Sequence, residues 1–215
     1  DGPQSGKGHA ITLDQSLRCT EVPSDGPQKE YKVSGTPADC VKMAINVVMP
    51  RRPDLILSGI NHGSNASVNV IYSGTMSAAV EGALERIQAI GFSLCEFSWE
   101  ASFEAAKPYV RKVIKATLEN GLPSGVCLNV NIPENNKAPY KGMRVCRQAI
   151  GNWVEEFDSR IDPFGRPYYW LTGKYENYDH GDDTDIAALE DGYISVVPIT
   201  VDLTAHHAVA TLNQW

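Results

Sequence analysis

Apolar residues in this chain fall alternately into short continuous runs and into stretches where they recur every three or four residues, a pattern typical of strands alternating with amphipathic helices. The continuous runs predict strands at residues 31–33, 54–58, 89–94, 127–133 and 192–198, with a weaker one within 10–20. The spaced stretches predict helices at residues 37–48, 75–86, 100–120, 183–191 and 203–213. This order predicts a three-layer α/β fold with a Rossmann-like, doubly wound and mostly parallel sheet.

Residues 144–178 have a different pattern, rich in β-formers and aromatic side chains, with a turn sequence at 162–165 between two such runs. This predicts a protruding β-hairpin arm. Because a long hairpin has little core of its own, we expect its aromatic residues to pack on another subunit and support oligomerisation. The predicted units are a Rossmann-like core, the arm, and a C-terminal strand and helix that complete the core or exchange with a neighbouring subunit. They cover residues 1–143, 144–178 and 179–215.

Charge and cysteine content narrow the classes of partner. The net charge of −7 disfavours a broad nucleic-acid surface, so we expect no DNA or RNA duplex as a partner. No apolar run approaches the roughly 18–20 residues that span a bilayer, so we expect no membrane partner. The five cysteines have no C-x-x-C spacing. We interpret them as reduced core residues, which predicts a cytoplasmic protein.

The stretch after the strand at 54–58 carries the clearest sign of a binding site. The predicted loop contains Gly59, Asn61 and Gly63–Asn65, and a second small-residue turn, Ser73–Thr75, precedes the next helix. Glycines and helix N-terminal amides favour anions, and the Asn61 side-chain oxygen suits a hard cation such as Mg²⁺ or Mn²⁺. The pattern favours a phosphate or metal site over the alternative, an ordinary strand-to-helix connection.

Asp202 and His206 stand four residues apart at the start of the last predicted helix. This spacing places them on one face, where a carboxylate can orient an imidazole for general acid catalysis. An exposed pair without a catalytic role fits the spacing equally well. Together with Ser73 they include the residue types of a serine hydrolase, but no G-x-S-x-G motif occurs.

Two further polar segments have alternative interpretations. Ser5 lies in a glycine-rich loop, where its hydroxyl either ligates a metal or phosphate or simply closes a turn. The acidic run Asp182, Asp183 and Asp185 lacks the remaining ligands of a calcium site. We interpret it as a helix N-terminus capped by Asp183 or Thr184.

Several stretches resemble the SurE-type stationary-phase survival proteins, which are 5′/3′-nucleotidases. The matching stretches are S-G-x-G-H-A-I-T-L (5–13), G-T-P-A-D-C-V (35–41), P-D-L-I-L-S-G-I-N-H-G-x-N (53–65), Y-S-G-T-M-S-A-A-V-E-G (72–82), L-N-V-N-I-P (128–133), D-G-Y-I-S-V-V-P-I (191–199) and V-D-L-T-A-H (201–206). They follow the order of the family from residue 5 to residue 206. The resemblance implies a metal-dependent phosphatase acting on nucleoside 5′- and 3′-monophosphates, assembled as a homodimer or homotetramer.

The resemblance also implies roles for individual residues. Ser5 and Asn61 would bind a divalent metal ion, Mg²⁺ or Mn²⁺, and Asp202 and His206 would act in catalysis. Phosphate would be bound by residues of the two small-residue turns: Asn65, Ser73, Gly74 and Thr75. The remaining metal ligands of the family are an Asp-Asp pair in an N-D-D-G motif, which residues 1–215 do not contain. We expect this pair upstream of Asp1, in a segment of about 30 or more residues.

Two other classes remain open at this point. A module that binds a nucleotide or phosphate without hydrolysing it would use the same loops. A metal-independent serine esterase would use Ser73. Chelation by EDTA separates these classes, because it would abolish the activity of a metal-dependent phosphatase and leave an esterase unaffected.

Overall fold

The computed structural model describes residues 6–215. A five-stranded mixed sheet lies at the centre of the fold. The strands are β1 Cys19–Val22, β2 Glu30–Val33, β3 Leu55–His62, β4 Gln88–Leu94, β5 Val126–Ile132, β6 Met143–Val145, β7 Gly151–Ile161, β8 Pro167–Asn177 and β9 Ile194–Thr200. The helices are α1 Pro37–Met43, α2 Asn69–Tyr72, α3 Gly74–Leu84, α4 Lys107–Asn120, α5 Asp185–Glu190 and α6 His206–Leu212. A π-helical turn, Ala44–Val48, continues α1.

The central sheet has the order β3-β4-β5-β9-β6. Neighbouring strands are parallel except at β5 and β9, which pair antiparallel. The core contains apolar clusters on both faces, one between α3 and the sheet and the larger one beneath α4. These features confirm the predicted three-layer, mostly parallel fold. Because β3, β4 and β5 run the same way, their C-terminal ends share one edge of the sheet, here called the carboxyl edge.

Strand β3 is longer than its apolar run predicts, because a β-bulge carries it past residue 58. Residues Gly59 and Ile60 together face Phe92, so the register shifts between the pairs Ser58–Gly91 and Asn61–Ser93. Gly59 has φ +106°, and a Cβ there would collide with the Phe92 carbonyl oxygen. The prediction that a loop begins at Gly59 was wrong. Bulges commonly redirect side chains beside functional sites, and this one sets the position of Asn61.

Helix boundaries follow local sequence signals. Thr36 caps α1 as predicted: its hydroxyl accepts from Asp39 N–H, and the Asp39 carboxylate accepts from Thr36 N–H. Helix α4 begins at Lys107 and not at residue 100, because Pro108 fits the first turn of a helix far better than its interior. The strand expected within residues 10–20 forms only at Cys19–Val22, where pairing with β2 supplies its hydrogen bonds.

The predicted hairpin is formed by β7 and β8, which pair in register from Gly151–Asn177 to Ile161–Pro167. Many of its aromatic side chains are exposed. Its base is attached by two hydrogen bonds to the segment after β3: Tyr175 O–H donates to Ser67 Oγ in the loop at 2.7 Å, and Trp153 Nε1–H donates to Asn69 Oδ1 at the start of α2 at 2.8 Å. The position of the arm is therefore linked to that loop.

All five cysteine thiols are free. Burial raises the pKa of Cys95 and of Cys127 to about 12, so these thiols are poor nucleophiles. Among residues 6–215, no helix is both long and apolar enough to span a membrane.

Candidate functional site

Polar residues line up across the three parallel strands at the carboxyl edge. Asn61 of β3 pairs with Ser93 of β4, which pairs with Asn131 of β5. Ser93 and Asn131 are completely buried. A buried polar group in a strand costs free energy unless it is hydrogen-bonded. The hydrogen-bond partners of Ser93 and Asn131 therefore indicate which residue this edge of the sheet holds in place.

Those partners converge on Asn65. The Asn65 N–H donates to Asn131 Oδ1 at 2.8 Å, and the Asn65 carbonyl accepts from Asn129 Nδ2 at 2.8 Å. The Asn65 carboxamide donates to Ser93 Oγ at 2.7 Å. Asn131 Nδ2 also donates to Asn129 Oδ1 at 2.9 Å, which locks the two strand amides together. We call these four residues the amide clamp, which fixes both the backbone and the side chain of Asn65.

Sequence reasoning missed three members of the amide clamp: Ser93, Asn129 and Asn131. A signal for two of them exists, since L-N-V-N places two amides two residues apart, on one face of an otherwise apolar strand. Asn65 itself was singled out as a phosphate ligand. Its side chain is 6 % exposed and its nitrogen is directed at Ser93. Its role toward phosphate stays a prediction.

Asn61 is half-buried at the end of β3, immediately after the bulge. Its Nδ2 donates to the Gly63 carbonyl at 3.0 Å. This bond sets the orientation of the carboxamide and leaves Oδ1 as the acceptor. A neutral amide oxygen held in a fixed direction fits a hard divalent cation. Within residues 6–215, no group of three or more His, Cys, Asp or Glu side chains is placed to hold a metal ion.

Helix α3 begins beside this loop and presents its N-terminus near the carboxyl edge. Ser73 is its N-cap, with Oγ accepting from Met76 N–H at 3.1 Å. Gly74 and Thr75 form the start of the first turn, where backbone N–H groups have no acceptor inside the helix. The Thr75 carbonyl lies over Gly91 of β4. The turn thus combines donors, a serine hydroxyl and the positive end of a helix dipole, which suit a phosphate.

The N-terminal loop is attached to the same helix. Gly8 N–H donates to the Tyr72 carbonyl at 3.1 Å, one residue before the α3 N-cap. The buried Glu81 carboxylate of α3 binds His9 Nε2 at 2.8 Å and Lys42 Nζ at 2.6 Å. These contacts hold Gly8 beside the start of α3 and His9 against the C-terminal half of the same helix. The predicted metal ligand Ser5 lies outside the described residues.

Asp202 and His206 do form the predicted pair, with Asp202 Oδ2 2.6 Å from His206 Nε2. Hydrogen bonds from Thr204 and then from His206 lower the pKa of Asp202 to about 2, so it is a carboxylate at neutral pH. Both side chains are exposed.

The Asp202–His206 pair does not lie at the carboxyl edge of its own chain. Strand β9 ends at Thr200, which pairs with Val126 at the start of β5, whereas Asn131 lies near the end of β5. The five residue steps from Val126 to Asn131 correspond to about 16 Å at roughly 3.3 Å per residue. The chain therefore brings Asn61, Asn65 and the α3 N-terminus to one edge, and the catalytic candidates to the other.

The acidic run before α5 is structural, as predicted. Thr184 is the N-cap of α5, and Asp183 binds Arg147 at 2.9 Å. Asp185 is completely buried, and burial raises the pKa of its carboxyl. It accepts hydrogen bonds from the backbone N–H groups of Ser67 and Ala149, at 2.8 and 2.9 Å.

Comparison with known proteins places these features in a family. A sequence profile described as Survival protein SurE matches residues 1–155. A protein from Christiangramia forsetii named 5′-nucleotidase SurE is 58% identical over 217 residues, covering 100% of this chain and 84% of that protein. A protein of the same name from Flavobacterium johnsoniae is 57% identical, covering 100% and 83% of the two chains.

Solved structures agree with the sequence comparisons. The crystal structure of the SurE protein from Aquifex aeolicus superposes with a TM-score of 0.81 at 35% identity, covering 98% of this chain and 84% of that one. The superposition includes almost the whole chain and therefore supports the three-layer architecture described above. Given the matched profile, the full-length relatives and this superposition, the chain belongs to the SurE family.

Proposed function

We propose that this protein is a divalent-metal-dependent phosphatase that hydrolyses nucleoside 5′- and 3′-monophosphates to nucleoside and phosphate. The relatives named 5′-nucleotidase support the substrate class. The observation that supports the proposal most strongly is the arrangement of residues at the carboxyl edge. There the amide clamp fixes the loop that follows Asn61 and the end of β3, and the Thr75 carbonyl at the N-terminus of α3 lies over Gly91 of the neighbouring strand β4. This arrangement supports the proposal, because the residue proposed to bind the cation and the turn proposed to bind the phosphate lie on neighbouring elements of the fold.

Asn61 and Ser5 would hold the metal ion, Mg²⁺ or Mn²⁺, together with the two aspartates expected upstream of Asp1. The fit rests on Asn61, whose nitrogen is bonded to Gly63 so that its oxygen is the atom available to a cation. Such an ion supplies charge neutralisation for the phosphate and activation of water. The residues of this chain bind and orient the substrate around it.

The phosphate would be bound at the first turn of α3. The Gly74 and Thr75 N–H groups donate to its oxygens, and the Ser73 hydroxyl hydrogen is available because only its oxygen is used in capping. Asn65 would complete the cradle through the second hydrogen of its side-chain nitrogen, since the first is donated to Ser93. In-line attack by water then requires a proton for the leaving alkoxide of the nucleoside.

His206, oriented by Asp202, would supply that proton. Because the pair lies at the opposite edge of its own sheet, we propose that it serves the carboxyl edge of a neighbouring subunit. Helix α6 is exposed along most of its length, with Leu203 and Trp215 each 95% exposed beside it, as expected of a segment that packs on another chain. The active form would then be a homodimer or homotetramer, located in the cytoplasm, with no membrane or nucleic-acid duplex as partner.

A mixing experiment tests this shared site. Ser73→Ala and His206→Ala are each expected to release phosphate from a nucleoside 5′-monophosphate at least about tenfold more slowly than the wild type. Unfolding and refolding them together should restore part of the activity, because a mixed dimer contains one site with both groups intact. No restoration would contradict a shared site. If the wild type binds the nucleotide but releases no phosphate, the alternative of a non-catalytic binding module is correct.

A further inference from the structure

Two aromatic rings are exposed on the segment that joins β4 to α4. Phe97 is 78% exposed and Trp99 is 87% exposed. The segment starts where β4 ends, so both residues stand at the carboxyl edge, the same edge as Asn61 and Asn65. Exposed aromatic rings beside a polar site are candidates for a binding surface.

Phe97 is in contact with the loop that directly follows β3 and the proposed metal ligand Asn61. Gly63 N–H donates to the Leu94 and Glu96 carbonyls at 2.8 and 3.1 Å, which ties the two loops together. A Cβ at Gly63 would lie 2.5 Å from Phe97 Cε1, so only glycine lets the ring lie on this backbone. The carbonyl of the same glycine accepts from Asn61. Gly63 therefore contacts both the Phe97 ring and the Asn61 side chain, and it links the two.

Trp99 is held by the residue that follows Asn61. The His62 ring lies 5.7 Å from the Trp99 ring, centroid to centroid, and 5.1 Å from that of Phe103. His62 Nδ1 is buried and has no hydrogen-bond partner in the described part of the chain. The packed histidine supports the indole at one side, while most of the Trp99 surface stays open. The two exposed rings and His62 form what we call the aromatic platform.

The charge of the segment indicates which part of a ligand it would accept. Residues 95–106 contain three glutamates and no lysine, arginine or histidine. Such a segment repels a phosphate, which the donors of the α3 N-terminus attract instead. A neutral, flat and polarisable group is the occupant that exposed rings bind best, because stacking on aromatic faces is the usual way proteins hold unpaired bases.

We propose that the aromatic platform binds the nucleobase of the substrate by stacking on Phe97 and Trp99. This rests on the proposed function, since the phosphate of the same nucleotide would lie at the α3 N-terminus. The platform contributes affinity for the base and sets the preference for nucleotides over other phosphate monoesters. We therefore expect the platform to accept different bases, because every base has a face that can stack.

The kinetic test compares a substrate with a base and one without. Phe97→Ala and Trp99→Ala should raise KM for a purine nucleoside 5′-monophosphate about tenfold or more and leave kcat/KM for ribose 5-phosphate unchanged. Trp99→Phe, which keeps a ring, should recover most of the loss. Leu118→Ala, on α4 and 52% exposed, lies outside both the proposed site and the hairpin arm, so it is the control and should have wild-type values. Equal losses for both substrates, or none, would overturn the proposal.

A second test needs no catalysis. Adenosine, which has no phosphate, should quench tryptophan fluorescence in the wild type, and Trp99→Phe should abolish that quenching. If adenosine quenches the fluorescence but the wild-type protein hydrolyses no nucleotide, the proposed aromatic platform is supported and the proposed phosphatase function is wrong. If the wild type is not quenched, or if Phe97→Ala and Trp99→Ala change the molecular mass in light scattering, the rings belong to a subunit interface and the proposal is wrong.

Discussion

Asn131 holds Asn65 by its backbone: the carboxamide oxygen of a central strand accepts a hydrogen bond, 2.8 Å long, from the N–H of a loop residue 66 positions earlier. The other amide of the strand, Asn129, binds the carbonyl of the same loop residue. The loop after β3 is therefore attached to the sheet on both sides of one residue. A loop restrained in this way fixes the chain directly after Asn61, so that this edge of the sheet can bind a cation and a phosphate without reordering on binding.

Asn131→Ala is expected to lower the free energy of unfolding by about 2–4 kcal/mol, because it leaves the Asn65 N–H and Asn129 Oδ1 buried without a partner. We also expect phosphatase activity to fall at least about tenfold, since the loop is released. Urea unfolding and phosphate release measure the two effects. Asn136→Ala, an exposed amide just beyond the same strand, is the control and should be close to the wild type. A wild-type urea midpoint for Asn131→Ala would show that the clamp is not structural.

Ser73→Ala separates capping from phosphate binding. Loss of the cap should destabilise the protein by about 1 kcal/mol. Thr184→Ala removes a similar cap from α5 and should destabilise it comparably. Only Ser73→Ala should also lower kcat/KM, by about tenfold or more, because only that hydroxyl faces the proposed phosphate. If both variants lose activity in proportion to stability, Ser73 has no role beyond capping.

The hydrogen-bonded pair of Asp202 and His206 leads to a prediction of how the stability of the fold changes with pH. The pKa of Asp202 in the folded protein is lowered to about 2, below the ordinary value of 3.8, so the contribution of its hydrogen bonds to stability is present above pH 3.8 and lost as the pH falls through about 2. A carboxyl ¹³C NMR titration should give this value directly. Because Thr204 is the largest cause, His206→Ala should raise the pKa only part of the way to 3.8. A wild-type carboxyl that titrates near 3.8 would disprove the contact.

Shortening the hairpin tests its role in assembly. Replacing residues 157–171 by Asn-Gly joins two paired positions of β7 and β8 and keeps Trp153 and Tyr175, which attach the base to the loop. The exposed aromatics of the arm are removed, so we expect a smaller oligomer in light scattering. Substituting Glu156 by glutamine, beside the excised segment, should leave the mass unchanged. The same mass for both variants would mean that the arm is not the assembly element.

Much of the fold follows from local signals in the sequence. The Thr36-Pro37 pair starts α1, Ser73 starts α3, and the apolar runs give β4 and β5, because caps and burial act over a few residues. The bulge at Gly59 was not predictable from its own segment, since the register is set by pairing with β4. Its consequence, the extension of β3 to His62, was missed for the same reason.

The candidate site was predictable only in part. The residue types of the β3 loop and the α3 N-terminus were visible, because glycines, amides and a serine cluster in sequence. The amide clamp as a whole was not, since the three bonds that hold Asn65 join residues 28 to 66 positions apart. Nor did spacing indicate that Asp202 and His206 lie at the opposite edge, which depends on β9 running antiparallel to β5.

The central claim is that this protein hydrolyses nucleoside monophosphates only with a divalent cation bound through Asn61. The most direct measurement is phosphate release from a nucleoside 5′-monophosphate by the intact protein after exhaustive chelation, before and after Mg²⁺ or Mn²⁺ is restored. We expect no turnover without metal, recovery with it, and at least a tenfold lower rate for Asn61→Ala, equivalent to roughly 1.4 kcal/mol in the barrier. Undiminished turnover after chelation, or a wild-type rate for Asn61→Ala, would contradict the claim.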